Sequence, residues 1–204
     1  MVLATRNPGK LRELSAMFAA AGIALDDLAT VGLGEEDRAE DDLEVYETFE
    51  ENARAKVRWF ASRLPGAFVV ADDSGLEVDA LGGAPGVRSK RWSGSTASGA
   101  ALEAANNAHL LSALLGAPSR TGAYVSVVVC TDGVREWCAR GECRGRIVTT
   151  PSGAGGFGYD PLFWSDDLQR TFGDATREAK AGVGHRGRAF RALLRLLAAG
   201  ASPT

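Results

Sequence analysis

Two histidines, three cysteines and no apolar stretch near the roughly 20 residues of a membrane helix set the first limits on this chain. Cys130, Cys138 and Cys143 are odd in number and show no CxxC or Cys/His spacing, so neither a disulfide framework nor a zinc site is expected. The thiols read as reduced and structural. Positive charge is not in excess either. The 23 Lys and Arg against 26 Asp and Glu give a net charge of -3, which excludes the global basic field of non-specific nucleic-acid binders. Any cation that matters acts locally. Met1 is followed at once by a strand-like run, not by a charged segment and an apolar h-region. A cytoplasmic protein bound to neither nucleic acid nor membrane is therefore expected. No repeat, linker or low-complexity tract interrupts the 204 residues, which are read as one domain, residues 1–204, with a core that can be shared between two lobes.

Glycine, by contrast, is plentiful: 25 residues, about twice the usual share of roughly 7%. Much of it is clustered, so several loops need positive φ or a close backbone approach. Residues 1–4 read as a short buried strand, residues 5–9 as a loop, and Leu11, Leu14, Met17 and Phe18 recur at helical spacing up to Gly22. Residues 26–47 are acidic and weakly periodic, an irregular surface region with room for one short strand. Thr48 with Glu51 forms a capping box that opens a helix, with Phe49, Ala53, Val57, Phe60 and Leu64 as its buried stripe and Pro65-Gly66 as its end. AFVVA at 67–71 reads as a buried strand that delivers Asp72-Asp73-Ser74-Gly75 at its end. A helix over 100–115, a strand over 123–131, a hairpin turn at Asp132-Gly133 and a last helix carrying Phe190, Leu193, Leu194 and Leu197 complete the pattern. Helices alternating with strands, with one clear hairpin, indicate an α/β fold with a mixed sheet.

Four stretches can carry chemistry, and each also has a plain structural reading. Thr5-Arg6-Asn7-Pro8-Gly9-Lys10 lies between a strand and a helix, where backbone N–H groups, the helix dipole and Lys10 favour a phosphate. An ordinary Asn-Pro-Gly turn with a solvated lysine is the alternative. It is not a Walker A loop, since Ala4 stands where the first glycine would be and Leu11 where the hydroxyl would be. Asp72 and Asp73 are adjacent acids that would repel unless a cation stands by, and Mg²⁺ with substrate phosphates meets that need. Asp-Asp-Ser-Gly is also good turn chemistry. Phe157-Gly158-Tyr159-Asp160, after a glycine loop, offers rings against which a flat base can lie, or a flexible loop anchored by Phe157. Lys180 with His185-Arg186 is a basic group before the last helix, or a solvated face.

Taken in order, LATRNPGK, TFEENARAK, ADDSGLEVDALGGAPGV, GGFGYDPLF and TREAKAGVGHRGRA run over nearly the whole chain. In this the sequence resembles the non-canonical purine nucleoside triphosphate pyrophosphatases, the XTP/dITP diphosphatase or inosine triphosphatase family. The resemblance implies an elongated mixed β-sheet with flanking helices, in two lobes around a central cleft, and a homodimer. It implies Mg²⁺-dependent hydrolysis of a purine nucleoside triphosphate (ITP, dITP or XTP) to the monophosphate and pyrophosphate, cleansing the nucleotide pool. By position it makes Asp73 the general base and a metal ligand, with Glu44, four residues ahead of Thr48, as the second metal carboxylate. Thr5, Arg6, Asn7, Pro8, Gly9, Lys10 and Lys56 are expected to hold the triphosphate, and Ser74 to touch substrate. Phe157, Gly158, Tyr159 and Asp160 would line the base pocket, while Lys180, His185 and Arg186 would read the purine and its neighbouring phosphate. Lys and Arg donors suit the 6-oxo group of hypoxanthine or xanthine and mismatch the 6-amino group of adenine.

The sequence departs from that family at Arg6, where glycine is usual, and at Ala179, Ala181 and Gly184, where Glu, Asn and Ser are common. A pyrophosphatase for modified pyrimidine nucleotides is the nearest rival, opposed by GGFGYDP and GHRGR. A catalytically silent nucleotide-binding protein is another, opposed by the presence of Glu44, Asp72 and Asp73.

Overall fold

The computed structural model describes residues 1–200; residues 201–204, the tail of the expected single domain, lie outside the described residues. Strand β1 (Val2–Leu3) gives way to the polar loop, and α1 (Pro8–Ala20) starts on Pro8, whose fixed φ and missing N–H suit a first helical turn. Gly22, at φ 73°, takes the chain out of the helix. Within the acidic stretch one element forms, a 3-10 helix over Arg38–Glu44, capped by Asp37 and Glu40.

Helix α2 (Phe49–Ala61) is capped by Thr48, whose Oγ1 accepts from the Glu51 N–H at 3.2 Å. The Glu51 carboxylate accepts from the Thr48 hydroxyl at 2.7 Å, so the box closes through the two side chains. Phe49, Ala53, Val57 and Phe60 are buried as the spacing requires, and Asn52 and Lys56 are buried with them.

Strand β2 (Val69–Val78) differs from expectation. It runs ten residues without a break, so Asp72, Asp73, Ser74 and Gly75 lie inside the strand and not in a turn at its end. Asp and Gly are poor strand formers, and local propensity stops the strand at Ala71. Pairing and ion pairs override it here. The consequence is stereochemical: strand alternation sends the carboxylates of Asp72 and Asp73 to opposite faces.

Helix α3 (Gly99–Ala113), β3 (Thr121–Thr131) and β4 (Glu136–Ile147) follow as read from the sequence, with β3 and β4 joined through Asp132-Gly133. Two short strands, β5 (Phe163–Ser165) and β6 (Arg170–Thr171), then a short helix α4 (Arg177–Val183) and α5 (His185–Ala198), end the fold. The sheet is six-stranded and mixed, in the order β1-β2-β3-β4-β5-β6. β1 pairs parallel with β2 (Val2 opposite Val69), and β4, β5 and β6 pair antiparallel (Ile147 opposite Phe163, Trp164 opposite Thr171).

The residues fall into two compact units. The first comprises Met1–Asp73, Ser126–Gly141 and the chain from Arg186 onward; the second comprises Ser74–Val125 and Glu142–His185. Neither is a contiguous segment, since β2, β3 and β4 run from one into the other. Each has its own core. In the first, Leu14, Phe18, Val70, Val128, Phe190 and Leu193 are fully buried, with Phe18 edge-on to Phe190 at 5.3 Å. In the second, Leu76, Leu110, Tyr124, Leu162, Phe163 and Phe172 do the same work. Among the described residues no helix is long and apolar enough to cross a membrane.

Candidate functional site

Buried charge is rare in protein interiors unless it is paired, and each unit holds one such group. In the first unit it gathers around Asp72 and Asp73 of β2. Asp72 is 2% exposed, and its Oδ2 lies 3.0 Å from Lys10 Nζ and 3.6 Å from Arg186 Nε. Burial alone would raise the Asp72 pKa; Lys10, Arg186 and Lys56 outweigh it and hold the carboxyl below its usual range. Lys10 moves the other way from a simple ion pair. Burial lowers it, Asp72 restores only part, and Lys56 and Arg186 repel it further, so its pKa falls below that of an ordinary lysine. One carboxylate thus serves more than one cation. Arg186 has a second anchor in Glu13 of α1, at 2.9 Å.

Asp73, on the other face, belongs to a separate set. Its Oδ2 accepts from Asn52 Nδ2 at 2.8 Å and its Oδ1 lies 3.7 Å from Lys56 Nζ. Lys56 Nζ also donates to Glu44 Oε1 at 2.8 Å and to the Asp72 carbonyl. Asn52 and Lys56 stand four residues apart on α2 and so share its buried face. Burial pushes the Asp73 carboxyl up, Lys56 and Lys10 oppose this, and Glu44 adds to it; the net shift is upward. The same two carboxylates keep Lys56 charged against its own burial. Glu44 and Asp73 therefore approach one ammonium from two elements, which is the arrangement of a cation-binding pair. Among the described residues no group of three or more His, Cys, Asp and Glu could hold a metal ion.

The loop between β1 and α1 is less open to an anion than its composition suggests. Asn7 Oδ1 accepts from the N–H groups of Gly9 (2.8 Å) and Lys10 (3.2 Å), and Thr5 Oγ1 accepts from Asn7 N–H at 3.2 Å. The Asn7 carboxamide thus fills the helix N-terminus that an anion would use. Lys10 remains as the cation of the loop, beside Asp72. Arg6 has partners other than the phosphate expected of it. Its guanidinium donates to both oxygens of Glu40 and to the carbonyls of Leu33, Gly34 and Glu35.

In the second unit the buried charge is Lys180 of α4 with Asp160, Nζ to Oδ2 at 2.6 Å. Asp160 Oδ2 also accepts from the Phe157 N–H at 2.9 Å, and a Cβ at Gly156 would clash with this carboxylate, which explains the glycine there. Lys180 Nζ lies 4.9 Å from the Phe157 ring centroid and 5.4 Å from that of Phe172. His185, 2% exposed, stacks on Tyr124 at 4.7 Å, and Tyr124 stacks in turn on Phe172. Lys180 and His185 thus lie against one aromatic group. Gly184 turns the chain between them, its N–H donating to the Lys180 carbonyl at 2.7 Å. Ser74, first residue of this unit, is half-buried on β2.

Of the four residues expected to line a base pocket, Phe157 and Gly158 are half-buried. Tyr159 is core: it packs with Leu162 and Phe163, and its hydroxyl donates to the Ser89 carbonyl at 2.8 Å. Asp160 is an internal acceptor. Tyr159→Phe should therefore cost about 1 kcal/mol of stability, the worth of one hydrogen bond, and leave base preference unchanged in a comparison of ITP with GTP.

Sequence reasoning missed Asn52, Glu40, Glu13 and Asn107, whose Nδ2 donates to the Gly158 carbonyl at 3.0 Å. Only Asn52 carried a signal, an amide on the apolar stripe of a well-capped helix four residues before Lys56.

Residues 1–196 match the model of the Ham1 family. The chain belongs to the Ham1 family. Among its relatives is the dITP/XTP pyrophosphatase of Acidobacterium capsulatum, 42% identical over 199 residues, 95% of this chain and 96% of that one. Two solved structures resemble the fold. The Staphylococcus aureus Ham1 protein matches with a TM-score of 0.81 at 31% identity, covering 98% of both chains. A nucleoside-triphosphatase, dITP/XTP pyrophosphatase, from Mycobacterium abscessus matches with a TM-score of 0.71 at 42% identity, covering 95% of this chain and 97% of that one.

Proposed function

We propose that this chain hydrolyses dITP, ITP and XTP to the monophosphate and pyrophosphate. The observation that carries the reading is Asp73, a buried carboxylate of raised pKa, fixed through Oδ2 by Asn52 and facing Glu44 across Lys56. The full-length likeness to dITP/XTP pyrophosphatases supports the substrate class. Glu44 and Asp73 supply the one or two carboxylates that Mg²⁺ takes when substrate phosphates complete its shell. When bound, Mg²⁺ would neutralise phosphate charge and withdraw electron density from phosphorus.

Asp73, held through Oδ2 by Asn52, is the carboxylate that takes the proton of the water attacking the α-phosphorus. The bond to the bridging oxygen then breaks, and pyrophosphate leaves with the electron pair. Lys56 and Lys10 stabilise the charge that develops, by position and electrostatics more than by covalent chemistry. Phe157, Lys180 and His185 are the groups for the base. A homodimer working in the cytoplasm belongs to the same reading and rests on the resemblance alone.

The deciding experiment is pyrophosphate release from ITP, dITP and XTP with and without Mg²⁺, against dTTP and UTP. Release only from the purine set and only with Mg²⁺ is the expected result; equal release from dTTP would mean a pyrimidine enzyme, and none at all a binding protein. Phe157→Ala should raise KM for ITP roughly five- to hundredfold, the loss of about 1–3 kcal/mol of base stacking, and change kcat less.

A further inference from the structure

Between Leu28 and Leu43, both buried, no apolar residue of the stretch 29–42 is buried. The hydrophobic core offers this stretch no hold, yet it ends in Glu44. What ties it down is Arg6. Nε donates to Glu40 Oε2 at 2.9 Å and Nη2 to Glu40 Oε1 at 2.7 Å, a two-point contact that suits the planar guanidinium. Nη1 donates to the carbonyls of Leu33 (2.7 Å) and Gly34 (3.0 Å), and Nη2 to that of Glu35 (2.8 Å). A guanidinium has five N–H donors, and these five acceptors use them. The Glu40 side chain is 7% exposed, and its Oε1 also accepts from Asp37 N–H at 3.1 Å, closing the cap of the 3-10 helix. The other side of Arg6 faces α2, with the guanidinium carbon 5.9 Å from the Phe60 ring centroid. Phe60 is one turn of helix beyond Lys56.

We propose that Arg6 is a positioning residue. It locks the 3-10 helix Arg38–Glu44 to β1 and α2 so that Glu44, about 8 Å along that helix from Glu40 at roughly 2 Å per residue, is held against Lys56 and Asp73. The cation at the mouth of the first loop serves the carboxylate of the metal pair and not the phosphate. The proposal rests on the reading of Glu44 and Asp73 as that pair.

Amide hydrogen exchange of residues 33–44 tests it in the full chain without nucleotide, first without metal and then along a Mn²⁺ titration. Arg6→Ala should speed exchange of these amides at least about tenfold and raise the Mn²⁺ concentration for half-protection of residues 38–44 by a similar factor. Arg6→Lys should behave like Arg6→Ala, because lysine keeps the charge and loses the fork, whereas a phosphate contact would tolerate lysine. Glu40→Gln should reproduce much of the effect, and Arg6→Ala with Glu40→Gln should be no worse than Arg6→Ala alone, as expected of partners in one contact. In pyrophosphate release at saturating Mg²⁺, Arg6→Ala should leave KM for ITP within about twofold of wild type. Unchanged exchange, or a KM for ITP raised in Arg6→Ala and restored in Arg6→Lys, would overturn the proposal. So would faster exchange with an unchanged Mn²⁺ dependence, which would make Arg6 a structural tie only. If the wild-type chain released no pyrophosphate from ITP, the proposed activity would fail, while the exchange and Mn²⁺ results would still decide the role of Arg6.

Discussion

Asp73→Asn is expected to lower kcat for ITP by about 10³- to 10⁴-fold, toward the upper range for loss of a general base, and to leave a nucleotide-binding protein that is folded. The substitution is close to isosteric, and the new carboxamide oxygen can still accept from Asn52 Nδ2, so the fold has little reason to respond. Thermodynamics points to a gain. The folded-state pKa of Asp73 lies above its unfolded value, chiefly through burial. Between those two values the folded chain binds more protons than the unfolded one, so stability falls as pH rises through that window and the loss persists at neutral pH. A carboxamide does not titrate, so the variant escapes this loss. Near neutral pH it should therefore melt at or above the wild-type temperature while turning over almost no substrate. A variant retaining more than about a tenth of wild-type kcat would remove Asp73 from the chemistry.

How far the sequence carries one toward this site depends on whether a residue's role is written in local spacing or in long-range pairing. The α2 cap at Thr48, the stop at Gly22 and the β3–β4 hairpin are legible because each is decided within a few residues. Propensity cuts strand β2 short at Ala71, since Asp-Asp-Ser-Gly reads as a turn; only its ion pairs, with Lys10 sixty-two residues away along the chain and Arg186 farther still, show why it stays extended. Adjacency of the two acids suggests one shared cation. Strand alternation gives the two carboxylates different nearest partners, Lys10 for Asp72 and Asn52 for Asp73, while the charges of Lys10 and Lys56 act on both. Arg6 is visible as an unusual residue, yet its purpose lies in Glu40, thirty-four positions on, in a stretch whose periodicity carries no signal. The same limit hides Tyr159 as a core residue, because Phe157 and Tyr159 look alike until the hydroxyl is seen to reach Ser89.

Asp72→Ala should be the most damaging single change to stability, at about 3–5 kcal/mol, the range for removing one partner of a buried ion pair. At roughly 2–4 °C per kcal/mol for a chain of this size, melting should fall by the order of 10 °C. The side chain of Asp72 is fully buried and that of Lys10 is 11% exposed, so water can replace little of the lost interaction. Arg186 keeps Glu13 as a partner, while Lys10 keeps the Asp72 carbonyl at 3.3 Å and the charge of Asp73. The pH dependence separates this cause from a simple cavity. In the wild type the depressed pKa of Asp72 gives stability that is present above its unfolded value near 4 and lost as pH falls through the folded value. The difference between wild type and variant should therefore narrow in acid. It should narrow again in alkali, where Lys10, already below the ordinary lysine range and lowered further without Asp72, becomes neutral and no longer needs a counter-charge. A cavity would cost the same at every pH. Adding Lys10→Met to Asp72→Ala should recover at least about 1 kcal/mol, since a buried pair replaced on both sides by uncharged groups is often near neutral in cost. If urea unfolding gave the double variant the sum of the two single losses, Asp72 would not be the counter-ion of Lys10.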